Sequence, residues 1–230
     1  MMRMLVSVRD VPEALVAAQG GADFIDLKEP REGALGGLPI DTIAGIVRAL
    51  REQHGHLAIS ATIGDLPMSD LPAILARVDA VAGCGVDYVK VGIEREPQAL
   101  AVLDALAATG QRIVPVFIAD RGLAFDQVAH ACSLTFPGVM VDTADKLAGS
   151  LFEVMSVGEL RRFVALVQSS GALAGLAGAL RHPQLAALRA LAPDFAGFRS
   201  AVCAGDRSGE LDPERLRALA AALHAAPVAA

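Results

Sequence analysis

Twenty of the 230 residues are Lys or Arg, yet only three of them are lysines: Lys28, Lys90 and Lys146. Arginine carries the remaining positive charge, so each lysine invites a reason that a guanidinium cannot supply. A desolvated amine can lose its proton and attack a carbonyl carbon to form a Schiff base, whereas arginine stays protonated. Carboxylates accompany two of the three. Asp26 stands two residues before Lys28, and Asp142 four residues before Lys146. The plainer reading, surface lysines left over from a drift toward arginine, is weakened by where the three fall once the elements are drawn.

Eight short apolar runs of strand length, at 5–8, 24–28, 58–63, 88–93, 112–118, 139–144, 173–177 and 196–201, are punctuated by Gly, Pro or Asp. The seventh is rich in Ala and Gly and reads as a strand only from its place in the series. Helical patterns alternate with them at 11–19 (after Asp10 as N-cap), 41–52, 70–82, 97–108, 125–131, 156–167, 183–191 and 213–223. Pro97, Pro183 and Pro213 sit where a first helical turn tolerates proline. Eight strand–helix units in this length favour closure into a (β/α)8 TIM barrel over a doubly wound open sheet. Residues 1–224 read as one domain and 225–230 as a frayed tail. The three lysines then fall at or just after the ends of strands two, four and six, at the mouth where barrel enzymes assemble their sites. Alternation puts Asp26 and Lys28 on one side of their strand. Lys28, Lys90 and Asp142 are therefore expected to share a pocket, with Lys146 in the loop above it.

Several blocks together resemble one family. The segment Asp26-Leu27-Lys28-Glu29-Pro30-Arg31-Glu32-Gly33-Ala34-Leu35-Gly36 resembles the D-x-K-x-P-x-x-G-x-L-G stretch of the (5-formylfuran-3-yl)methyl phosphate synthases. Ser60 to Asp65, Tyr88 to Gly92, Asp142 to Lys146, Leu176 to Leu180 and Gly197 to Arg207 are similar to its further blocks, in the same order. The resemblance implies a class I aldolase-like barrel, a lyase that condenses two glyceraldehyde 3-phosphate molecules with loss of phosphate and water. The product is the furan precursor of methanofuran-type cofactors. By the same resemblance Lys28 is the Schiff-base lysine, Lys90 transfers protons, and Asp26, Asp142 and Lys146 support them. Glu29 departs from an amide-bearing residue in archaeal members, and the connection after strand four is shorter. Taken with the Arg and Ala bias, the resemblance implies a bacterium whose C1 metabolism uses a methanofuran-like carrier.

Phosphate sites in barrels often use the loops after strands seven and eight. Gly178, Arg199, Ser200 and Gly205 are candidates there, with Arg199 as a clamp, and Ser60 and Thr62 share a strand face that can reach substrate. The glycines at 33, 36 and 37 lack the G-x-G-x-x-G spacing, so a dinucleotide is not expected. His54 and His56 fall on the opposite face, and His130, His182 and His224 are scattered, so no metal is expected. Cys203 lacks a partner that would activate a thiol.

A net charge of −6 with 4% aromatic residues and no Trp argues against nucleic-acid binding. No uninterrupted apolar run is long enough for a membrane span, and the N-terminus does not read as a signal peptide. Three widely spaced cysteines suit reduced thiols in the cytoplasm. The expected partners are a phosphorylated triose and further copies of the chain, with no cofactor. Two other functions remain open: a class I aldolase acting on a different phosphosugar, and a phosphometabolite-binding barrel without turnover.

Overall fold

The computed structural model describes residues 2–145 and 149–225. Strands β1 (Arg3–Val8), β2 (Phe24–Leu27), β3 (Ala58–Thr62), β4 (Tyr88–Ile93), β5 (Ile113–Ile118), β6 (Gly138–Asp142), β7 (Leu173–Leu176) and β8 (Phe195–Phe198) pair in sequence order. All pairs are parallel, and β8 returns to β1 to close the barrel. The expected TIM barrel is therefore the observed fold. Around it run α1 (Val11–Gln19), α2 (Ile40–His54), α3 (Leu71–Ala82), α4 (Ala99–Ala108), α5 (Phe125–Ser133), α6 (Leu151–Val154), α7 (Val157–Ser169), α8 (Leu185–Leu191) and α9 (Pro213–His224). None of the described helices is long and apolar enough to cross a membrane.

Departures from the sequence reading have local causes. Strand six ends at Asp142 rather than 144, because the following amides turn to carboxylates. Thr143 donates to Asp142 Oδ1 (2.8 Å), while Ala144 and Asp145 donate to the two oxygens of Asp120 (2.5 and 2.9 Å). Strand eight ends at Phe198, where the chain turns and Val202 N–H donates to the Arg199 carbonyl. Pro213 opens α9 as expected, but Pro183 lies in a 3-10 turn and Pro97 precedes α4. The one-turn helix α6 was not foreseen.

Burial falls into two separate cores. The larger lies between barrel and helices and includes Ile25, Ile59, Val89 and Val141 from the strands with Ile43, Val78, Leu103 and Phe163 from the helices. The smaller fills the bore, where Leu5, Val114, Val116, Ile118, Met140 and Phe195 meet Leu35, which the β2–α2 loop drops in from the mouth. Small residues make room for these side chains. A Cβ at Gly92 would lie 2.9 Å from Leu35 Cδ1, and one at Gly175 would lie 2.2 Å from the Phe195 ring. The same Phe195 ring stacks edge-on with Phe24, their centroids 5.6 Å apart. Gly175→Ala is therefore expected to overpack the bore and cost about 1–3 kcal/mol. The check is a urea titration, whose midpoint should fall with an unchanged slope.

Candidate active site

Parallel pairing puts Ser7, Asp26 and Ser60 side by side, with Ser7 opposite Asp26 and Asp26 opposite Ser60. All three point into the bore. Asp26 accepts a hydrogen bond from Ser60 Oγ at 2.6 Å and from Ser7 Oγ at 3.1 Å, and its Oδ2 lies 3.1 Å from Lys90 Nζ. Asp26 and Lys90 are only 1% and 3% exposed. A bare buried charge is strongly unfavourable, so the carboxylate and the two hydroxyls are what allow an amine here. Lys28, just past β2, is paired separately: its Nζ lies 3.4 Å from Oδ2 of Asp142 at the end of β6. Both lysines thus line one cavity that opens at the C-terminal mouth, Lys28 at its rim and Lys90 deeper, inside β4 rather than at its end as the sequence suggested, each facing a carboxylate. The cavity is also lined by Pro30, Gly178, Ala179, Ser200 and Arg207.

The other sequence candidates divide. Lys146 lies outside the described residues. Gly178 and Ser200 line the cavity, whereas Thr62 and Gly205 do not. Thr62 Oγ1 instead donates to the Gly36 carbonyl at 2.8 Å, holding the β2–α2 loop over the mouth. Asp65 does the same from β3's end by accepting from Leu35 N–H at 3.1 Å. Glu29, the departure from the archaeal pattern, caps its own loop by accepting from Arg31 N–H at 3.0 Å. Gly205 is exposed, with open space around its α-carbon. Ser60 orients Asp26.

Arg199, expected as a phosphate clamp, has all five N–H donors engaged within the protein. Two form a fork to Glu13 (2.5 and 2.9 Å), and three reach the carbonyls of Ser7, Arg207 and Gly209 (3.1, 2.9 and 2.7 Å). Burial works most strongly against its charge, but the Glu13 hydrogen bonds together with the surrounding negative groups, Glu13 and Asp10 among them, outweigh it and hold its pKa above the ordinary arginine value. Arg199 and Arg207 both line the cavity, but the guanidinium whose donors are not taken up by described residues is that of Arg207, which the sequence reading placed only within a family block. Among the described residues it makes no hydrogen bond or ion pair, and burial pushes its pKa down against the opposing pull of Asp142. After β7, Gly178 and Ala179 both adopt positive φ (121° and 46°). No described residue accepts a hydrogen bond from the amides of Gly178, Ala179 or Ser200.

The remaining set-asides stand apart from the site. Burial pushes the Cys203 thiol up, only partly countered by Arg199, which suits an inert thiol. His130 and His224 pair with Asp104 and Asp23 (2.7 and 2.8 Å) away from the mouth. Among the described residues no three His, Cys, Asp or Glu side chains converge as metal ligands. Ser7 was missed by the sequence reading, though Leu5 and Ser7 share a face of β1 and that alternation was visible. Asp26→Ala leaves Lys90 buried without its carboxylate and is expected to destabilise the protein by about 3–5 kcal/mol. Chemical denaturation measures this directly, and Asp26→Asn, which keeps the shape, one acceptor oxygen and an amide that can donate to the other hydroxyl, should lose less.

The geometry is matched by relatedness. A family model described as 4-HFC-P synthase matches residues 4–220. The chain is 34% identical over 237 residues to the (5-formylfuran-3-yl)methyl phosphate synthase of Archaeoglobus fulgidus, covering 97% of this chain and 100% of that one. It is 36% identical over 242 residues to the synthase of the same name from Methanopyrus kandleri, covering 96% and 98%. Among solved structures, the phosphoribosyl anthranilate isomerase of Thermus thermophilus superposes with a TM-score of 0.67 at 17% identity, covering 96% of this chain and 98% of that one, a likeness of fold alone. By sequence along nearly its whole length, the chain belongs to the (5-formylfuran-3-yl)methyl phosphate synthase family.

Proposed function

We propose that this protein is a Schiff-base lyase that joins two glyceraldehyde 3-phosphate molecules into (5-formylfuran-3-yl)methyl phosphate, the furan precursor of a methanofuran-type cofactor. The observation that carries the reading is the pair of buried lysines, each on its own carboxylate, in a single cavity. Atoms balance without an oxidant: two triose phosphates equal the furan phosphate plus one phosphate and two waters. Lys28 Nζ adds to the aldehyde carbon of the first triose phosphate, and loss of water leaves an iminium. The iminium withdraws electrons from the adjacent carbon, whose proton is then removed to give an enamine. The enamine carbon attacks the aldehyde of the second triose phosphate. Lys90 is suited to carry protons in the attack and in the later eliminations, because Asp26, Ser7 and Ser60 fix its amine. Asp142 holds Lys28 in reach before the imine forms and is a base beside it afterwards. Lys146, four residues along from Asp142 in the sequence, is assigned the supporting role that the family resemblance implies.

For the phosphate, the support lies in the loops after β7 and β8. Consecutive amides in a left-handed turn form a concavity suited to an anion, and an unpaired guanidinium adds charge-assisted bonds. Gly178, Ala179, Ser200 and Arg207 are assigned this role. Arg199 is assigned to structure.

Borohydride reduction with triose phosphate, read by intact mass and peptide mapping alongside furan absorbance, tests the chemistry. Lys28→Arg should abolish the adduct, since a guanidinium cannot become a neutral amine nucleophile. Lys90→Arg should still trap but turn over about 10²–10⁴-fold more slowly. Lys146→Arg should be the mildest of the three. An adduct on Lys90 instead of Lys28 reverses the assignment, and a retro-aldol product from another sugar phosphate replaces it with a different aldolase. Arg207→Gln should raise KM for the triose phosphate about ten- to a hundredfold, as expected for a lost charged hydrogen bond.

A further inference from the structure

Glu13 is a carboxylate on α1, on the helical side of β1, and is only 5% exposed. A charge in such a place calls for a reason, and its contacts supply one. Its two oxygens receive the Arg199 fork from the end of β8, and the same oxygens receive Arg9: the backbone N–H at 3.1 Å and, at 3.4 Å, the side-chain Nε. Both guanidinium groups then reach the same short segment. Arg199 donates to the carbonyls of Arg207 (2.9 Å) and Gly209 (2.7 Å), and Arg9 to the carbonyl between them, that of Ser208 (2.6 Å). Three successive carbonyls of the β8–α9 loop are therefore gripped by two arginines that share one buried carboxylate.

The rest of the loop is built to be held this way. Cys203 and Leu211 pair as an antiparallel bridge at its base, with Ala204 N–H donating to Glu210 O and Asp212 N–H to Val202 O. At its tip Asp206 accepts from Ser208 N–H and Oγ at 2.7 and 2.5 Å. A Cβ on Gly209 would lie 2.1 Å from the Ala204 carbonyl oxygen, so the hairpin closes as tightly as the backbone allows. The one long side chain of this tip that lines the cavity is Arg207, at the first of the gripped carbonyls. Its guanidinium has no partner of its own among the described residues to fix it, so the backbone grip is what sets its position.

We infer that Glu13 is a positioning residue: through Arg199 and Arg9 it fixes the β8–α9 loop so that Arg207 is presented to an anionic group of the substrate. This rests on the reading of Arg207 as a phosphate partner. The carboxylate touches no substrate and takes part in no proton transfer; it acts on affinity rather than on the chemical step.

A double-mutant cycle tests it, with inorganic phosphate affinity by calorimetry and KM and kcat for triose phosphate as readouts. Glu13→Gln keeps the shape but removes the charge that holds both arginines. It should weaken phosphate binding and raise KM about tenfold or more, while kcat and the borohydride-trapped adduct on Lys28 persist. In an Arg207→Gln background the same change should have no further effect on phosphate affinity or KM. Equal effects of Glu13→Gln in both backgrounds, or a fall in kcat with KM unchanged, would overturn the inference. If Glu13→Gln does not fold, Arg9→Gln, which frees the Ser208 carbonyl and the Arg9 side-chain contacts to Glu13 and Asp10 but leaves the Arg199 fork, takes its place in the cycle. A smaller shift in the same direction, lost in the Arg207→Gln background, supports the inference, and an unaltered affinity overturns it. Should Arg207→Gln alone leave phosphate affinity unchanged, the assignment of Arg207 fails and this inference with it, whereas imine trapping at Lys28 reports on the chemistry independently.

Discussion

The site depends on the pairing of each buried amine with one buried carboxylate. Lys90 and Asp26 sit deep in the bore, and Lys28 and Asp142 sit at its rim. Taking two charges out of water costs several kcal/mol per ion, and mutual attraction returns this only when the remaining lone pairs and protons are also satisfied. Ser7 and Ser60 meet that condition for Asp26, and the Thr143 amide does so for Asp142. The register of the barrel makes this possible. Neighbouring strands place Ser7, Asp26 and Ser60 in one row, and a shift of one residue in any of them would send a hydroxyl or the carboxylate into the outer core instead.

In the proposed chemistry the two pairs also separate the lysines by function. An amine that must become a nucleophile has to leave its carboxylate, while one that shuttles protons benefits from staying fixed. Among the described residues Lys28 has a single carboxylate partner at the longer distance of 3.4 Å, and Lys90 has one at 3.1 Å whose own position is set by two hydroxyls. The geometry therefore favours release at Lys28 and retention at Lys90. The mouth above them is also divided. Leu35 and the β2–α2 loop cover the side of β3 and β4, held by Thr62 and Asp65, and the loops after β7 and β8 frame the open side.

The barrel was legible in the sequence because eight apolar runs alternate with helical patterns, and the lysines stood out because arginine replaces lysine elsewhere. Asp26 and Lys28 could be placed on one face by period alone. What could not be read was how long-range hydrogen bonds distribute donors. Arg199 and Arg207 lie eight residues apart, and distant partners, Glu13 186 residues before Arg199 and the Ser7 carbonyl 192 residues before it, together with the Arg207 and Gly209 carbonyls, decide which guanidinium is consumed. Thr62 illustrates the same limit, since its strand face was right but its hydroxyl is taken by a loop carbonyl 26 residues away. Strand ends failed for a related reason: Asp120 draws the amides after Asp142 out of the ladder, an effect no local pattern encodes.

The division of the interior into two unconnected cores has a consequence for how such a chain can change. Substitutions in the annulus between strands and helices act mainly on stability, because its side chains form a cluster separate from the one that fills the bore. Substitutions in the bore alter the floor and walls of the reaction chamber. Descendants can thus drift freely in their outer packing while the chamber stays constant, or remodel the chamber on an unchanged shell. Glu13 crosses this division as a helix residue wired to the rim, and Arg77 on α3 does so through the Ile63 and Leu38 carbonyls, so drift in α1 and α3 is tied to the loops over the mouth.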